Sequence, residues 1–172
     1  MSSFNLKSTL IANRDAAPVV LTDPAIGRGD TNEVIGCQQI PTTADVGSQV
    51  RLISVPSGAR ISALEYFNAQ LGTSALDIAA WYPTTVQVQS GVVAAKLISS
   101  SAFAANIAGV DTGTVADGMG TIAQQSVQRR CQPLWQSLGL VADPNIDIDL
   151  GFTVRTTNSI AGYVGLRARY VR

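Results

Sequence analysis

Along several short runs of this chain apolar and polar residues take turns, and that period of two constrains the fold more than any other feature. From Asp147 to Arg155 every even position is apolar and every odd one is polar or glycine. In Tyr163–Arg172 the residues Val164, Leu166, Ala168 and Tyr170 alternate with Arg167 and Arg169. The same pattern runs through Gln49–Ala80, broken by Pro56-Ser57-Gly58 and by Leu71-Gly72-Thr73. Side chains on a strand point alternately to opposite faces, so such runs put one face in a core and the other in water. Strands are therefore predicted at Val50–Val55, Ala59–Asn68, Ala75–Tyr82, Asp147–Arg155 and Tyr163–Arg172, with a further β-prone stretch over Thr84–Ala95. In the second of these, strict alternation sets Leu64 and Tyr66 on one side and Ile61, Ala63 and Phe67 on the other. The two terminal runs read as a hairpin turning through Thr156–Ala161. In the matching register Asp147 and Asp149 lie opposite or diagonal to Arg167 and Arg169, as pins of the solvent face.

Two connections read as short helices. Ser99-Ser100-Ser101 supplies cap acceptors for the alanine-rich Ala102–Ala108, with Gly109 as a left-handed stop. Pro133 opens Leu134–Leu138, which Gly139 closes. Residues 1–48 carry Pro18, Pro24 and Pro41 and only two short strand-like runs, Ala17–Leu21 and Val34–Ile40. They are expected to be an extended arm or irregular edge, attached to a body spanning 49–172. The fold class that follows is all-β: an antiparallel β-sandwich, jelly-roll-like, with one or two short helices in its connections.

The inventory of reactive groups is thin. The 172 residues include no histidine, which removes Ser-His-Asp and Cys-His nucleophiles, histidine-ligated zinc and the commonest general base near neutrality. Lys96 precedes Ser99 by three positions, the reverse of an S-x-x-K order. Asp111-Thr112-Gly113 spells the aspartic-protease triplet but runs into Val115-Ala116-Asp117-Gly118, and reads as a turn. Asp143, Asp147 and Asp149 near Asn145 lack the glycine and closing glutamate of a calcium loop. Arg28-Gly29-Asp30 is short enough to arise by chance, and Gly27-x-Gly29 lacks the third glycine of a phosphate loop. Arg129-Arg130, the one adjacent basic pair, would suit an acidic neighbour or a phosphate, with a solvated strand edge the stronger expectation. Trp81, Tyr82 and Trp135 are candidates for stacking on a sugar, with core packing the stronger expectation. No catalytic residue, cofactor or metal is expected, and the reading is of a protein that is not an enzyme.

Charge narrows the partners. Twelve basic residues balance twelve acidic ones, so clustered phosphate contacts, and with them nucleic acid, are not expected. Only 14% of residues are charged, against ~25% in ordinary soluble domains, which favours a surface covered in an assembly. No apolar stretch reaches the ~18–20 residues that span a bilayer. Met1–Lys7 lacks a basic leader with an apolar run, so folding in a cytoplasm is expected, with Cys37 and Cys131 as buried reduced thiols.

Several segments, taken in order, resemble a group of tailed-phage structural proteins. They are Val50–Arg60 with its Pro-Ser-Gly-Ala turn, Leu71–Ala80, Ser101–Ile107, Gln132–Leu140 with its Leu-Trp-x-x-Leu-Gly run, and Asp143-Pro144 leading into the last two strands. The likeness covers residues 49–172. It implies a virion protein with a β-sandwich body, most often a head decoration or cement protein. That role implies a homo-oligomer, trimers included, made in the host cytoplasm and bound to the major capsid protein by non-catalytic contacts. A tail, collar or head–tail adaptor component, or a carbohydrate-binding module on the virion, are the alternatives. The family offers no catalytic residues to carry over. Asp147, Asp149, Arg167, Arg169, Arg129 and Arg130 are the candidate structural or interface residues.

Overall fold

In the run from Asp147 to Val154 the apolar positions Ile148, Leu150, Phe152 and Val154 are fully buried, while Asp147 is exposed and Asp149 and Thr153 are half-buried. This is strand β7 of a computed structural model that describes residues 31–42, 44–69, 71–72, 74–83, 96–108, 120–121, 131–156 and 160–172. The elements before it are β1 (Thr31–Ile40), β2 (Gln49–Pro56), β3 (Arg60–Asn68), β4 (Ala75–Trp81), β5 (Leu97–Ala108), β6 (Gly120–Thr121) and the single helical turn α1 (Leu134–Ser137). After it comes β8 (Gly162–Val171).

The strands form two four-stranded antiparallel sheets, ordered β1-β8-β3-β6 and β2-β7-β4-β5. Strand 1 pairs with 8, 2 with 7, 3 with 6 and 4 with 5, so the chain traces one long hairpin folded over into two layers. The result is an all-β antiparallel sandwich. One cluster of buried side chains joins the layers, with Ile61, Leu64 and Leu166 from the first sheet and Ile78, Leu150 and Phe152 from the second. Where the edges converge, a Cβ on Gly36 would stand 2.1 Å from the carbonyl oxygen of Leu52, so only glycine lets β1 approach β2 this closely.

The terminal strands do not form the expected hairpin. β7 lies in one sheet and β8 in the other. Each has one fully apolar face, and sealing those faces against each other across the core buries both without further cover. The seven residues 155–161 that connect them are enough to cross the ~10 Å between stacked sheets.

The expected helix over Ala102–Ala108 is a strand. β5 runs through it and pairs with β4, which would otherwise leave its ladder groups unpaired. A helix of two turns has little stability alone, so tertiary pairing overrides the alanine preference. The β4–β5 register shifts three times, and the neighbours Ala102 and Phe103 are both buried, which erases the period of two from the sequence. The register of β3 also shifts, between Ile61 and Ala63. That bulge at Ser62 brings Ile61 and Leu64 to the same core face, where strict alternation had set them on opposite sides.

The second expected helix is present. Pro133 stands at its N-cap with φ −62°, and Gly139 beyond its end takes φ +75°. Within residues 1–48, Thr31–Ile40 is β1, paired with β8 along its whole length. The strand-like runs at Ala17–Leu21 and 84–95 lie outside the described residues. So do Arg28-Gly29-Asp30, the Asp111-Thr112-Gly113 triplet and the Arg129-Arg130 pair.

Candidate assembly surface

The outward face of β1, β8 and β3 gathers most of the side chains with something to offer a partner. Antiparallel register sets Glu33, Arg169 and Ala63 in one row, then Ile35, Arg167 and Glu65, then Cys37, Gly165 and Phe67, and last Gln39 and Tyr163. The first two rows are salt-bridged. Arg169 Nε donates to Glu33 Oε2 at 2.7 Å, and Arg167 Nε donates to Glu65 Oε2 at 2.8 Å with its Nη2 on the same oxygen. The hydrogen bond from Arg169 holds the Glu33 carboxyl below its ordinary pKa, and the same bond raises that of Arg169.

Beyond the ion pairs the face becomes apolar. The Phe67 ring lies across β8 in the space that a side chain on Gly165 would fill: a Cβ there would stand 1.9 Å from Phe67 Cε2. Ile35 is 59% exposed, Tyr163 60%, and Cys37 is exposed beside them. An outward glycine in a strand whose neighbouring outward residues are Tyr163 and Arg167 was the available signal that something lies over it. The acidic partners of the two arginines had no such signal, because Glu33 is 136 residues from Arg169 and Glu65 is 102 from Arg167.

Asp149 is held on the other sheet. It accepts from Arg51 Nη1 at 3.1 Å across the β2–β7 ladder, so the expected pairing of Asp147 and Asp149 with Arg167 and Arg169 does not occur. Asp147 is exposed at the start of β7, where it lines an open groove with Asp143, Asn145 and Arg172. The floor of that groove is tightly tied. The buried Ser57 hydroxyl donates to Asp143 Oδ1 at 2.5 Å and accepts from the Ile146 amide at 3.3 Å. The amides of Leu134 and Trp135, at the start of α1, donate to the carbonyls of Ala59 and Ser57 at 2.7 and 3.0 Å. Backbone donors that a helix start leaves unpaired thus hold the Pro56–Ala59 turn in place.

Other expectations resolve individually. Trp81 is fully buried, so it has no face to stack on a sugar, and Trp135 is half-buried on α1. Cys37 and Cys131 are both exposed and unbridged, not buried as expected, because the outward parity of β1 places Cys37 in solvent and Cys131 lies just ahead of α1. Among the described residues no three Asp, Glu, Cys or His side chains converge as a metal site. No described helix is long and apolar enough to cross a membrane.

No protein-family model matches the sequence, and no curated protein matches it. Solved structures do. A chain of the "Capsid of Ralstonia phage GP4" superposes with a TM-score of 0.57 at 16% identity, over 84% of this chain and 85% of that one. A chain of the "Cyanophage Pam1 capsid asymmetric unit" aligns over 91% of this chain and 96% of that one, with TM-score 0.43 and 13% identity. The first of these likenesses extends over most of both chains, and what it shows is a common fold.

Proposed function

We propose that this chain is a structural component of a bacteriophage virion, and within it a head decoration or cement protein. The observation that carries this is the fold shared over most of the length of a chain of a phage capsid, in a molecule whose sequence holds no histidine. In this reading the sandwich is a jelly roll, the chain is not an enzyme, and it works by covering neighbouring subunits of the major capsid protein. It is made in the host cytoplasm, enters the virion as a homo-oligomer, and needs no cofactor. The low fraction of charged residues and the apolar half of the β1-β8-β3 face suit a surface that ends up covered. Arg129, Arg130, Asp147 and Asp149 are residues through which the remaining contacts run.

Attachment by the amino-terminal arm belongs to the same reading. Because β1 is integral to the sandwich, the arm to remove is residues 2–30 and not a longer piece. The test is binding to undecorated heads: the full chain saturates them and raises their resistance to heat, and the shortened chain binds more weakly. Heads that take up no protein, or take it up at a single vertex only, overturn decoration in favour of a tail, collar or adaptor role. Undiminished binding by the shortened chain removes the arm from the account.

A further inference from the structure

The apolar half of the outward β1-β8-β3 face has no cover among the described residues, and its rows define what would fit it. Arginines run down the middle strand, with Arg169 and Arg167 on β8, and the exposed Tyr163 follows four residues from Arg167 on the same face. Consider a second copy laid face to face on the first. A two-fold axis parallel to the strands sets Arg169 on Arg169 and Arg167 on Arg167, which like-charge repulsion disfavours. An axis perpendicular to the strands, along the Cys37–Gly165–Phe67 row, sets Arg167 of each copy against Tyr163 of the other. A guanidinium over a phenol ring is an attractive pairing, favoured further when water is excluded. The same axis brings Phe67 to Phe67 and Cys37 to Cys37, and moves the outer salt-bridged row, Glu33 with Arg169, toward the rim, where charge belongs in an interface.

We infer that this face is an isologous contact between two copies of the chain, related by a two-fold axis along the Cys37–Gly165–Phe67 row. Charge selects the partner as well as the axis. Every charged side chain in the patch is already neutralised within it, and the whole chain has a formal net charge of zero, so copies approach without mutual repulsion. Strands of the two faces then run within the range of aligned sheet packing, ~10 Å apart. This deepens the homo-oligomer part of the proposed function and rests on it.

The test uses Cys37 as a distance reporter in the full chain carrying Cys131→Ser. A short bis-maleimide is expected to yield a covalent dimer through Cys37. Tyr163→Arg is expected to weaken the dimer by at least about tenfold in sedimentation and to abolish the cross-link, since it sets a like charge against the partner's Arg167. Val141→Asp, at a fully exposed position outside this face, should change neither. Circular dichroism confirms that each variant is folded. An oligomer that persists in Tyr163→Arg and leaves Cys37 uncross-linked overturns this face while the homo-oligomer stands. A protein monomeric at every concentration overturns both. A monomer whose binding to heads is lost in Tyr163→Arg assigns the face to the capsid subunit instead.

Discussion

Substituting Gly151 by alanine examines the geometry of the sandwich where two strand backbones come very close. Gly151 sits in β7 between β2 and β4, opposite the place where the β2 register shifts between Arg51 and Ile53. The bulge pushes the β2 backbone toward β7, so that a Cβ on residue 151 would lie 2.0 Å from the Val50 carbonyl oxygen and 2.8 Å from the Arg51 Cα. The first distance is more than an ångström short of an ordinary contact, and the atoms in the way are backbone. No side-chain rotation relieves it; β2 must move outward. Overpacking alone costs roughly 1–3 kcal/mol, and each ladder hydrogen bond lost adds about 0.5–1.5 kcal/mol. A total of about 3 kcal/mol follows, which at about 2–4 °C per kcal/mol lowers the melting midpoint by roughly 6–12 °C. Gly58→Ala is the matched control. Its nearest contact is Asp143 Oδ2 at 3.4 Å and its φ is not positive, so it should be neutral or stabilise by up to about 1 kcal/mol. Urea denaturation followed by tryptophan fluorescence reads both. Gly151→Ala within about 0.5 kcal/mol of the parent would refute the close approach of β2 to β7.

Two further outcomes are expected. Ser57→Ala removes the hydroxyl that joins Asp143 to the Ile146 amide in a buried turn, and should cost about 1–3 kcal/mol; a loss under about 0.5 kcal/mol would mean the clamp does not hold the turn. Glu33 accepts a hydrogen bond from Arg169, so its folded-state pKa is depressed. Its stabilising contribution is therefore present above the ordinary glutamate range and is lost as pH falls through the lowered value. An NMR titration of the Glu33 carboxyl should give a midpoint below that of a free glutamate, returning to it in Arg169→Gln; equal midpoints in the two proteins would dissolve the pair.

Much of this fold was legible because one-sided burial writes a period of two into the chain. β2, β7 and β8 are recovered from that period nearly to the residue, since each keeps one apolar face with few irregularities. β5 was unreadable for the opposite reason: three register shifts and adjacent buried residues destroy the period, and its alanines carry helix preference that only the β4 edge overrides. The bulge at Ser62 left β3 recognisable but misplaced its faces. Pairing was harder than strand position. β7 and β8 look like a hairpin from adjacency, and only the need to cover two apolar faces at once sends them to different sheets. The candidate surface was half visible. Arg167 and Arg169 stood out by alternation, whereas Glu33 and Glu65 reach them through strands far away in sequence, and local pattern carries no trace of such partners.

The most direct trial of the account is the abundance and position of this protein in purified particles, by quantitative mass spectrometry together with cryo-electron microscopy of the heads. A decoration role predicts many copies spread over the outer shell in fixed ratio to the major capsid protein. Absence from the particle, or a few copies confined to one vertex, would contradict it.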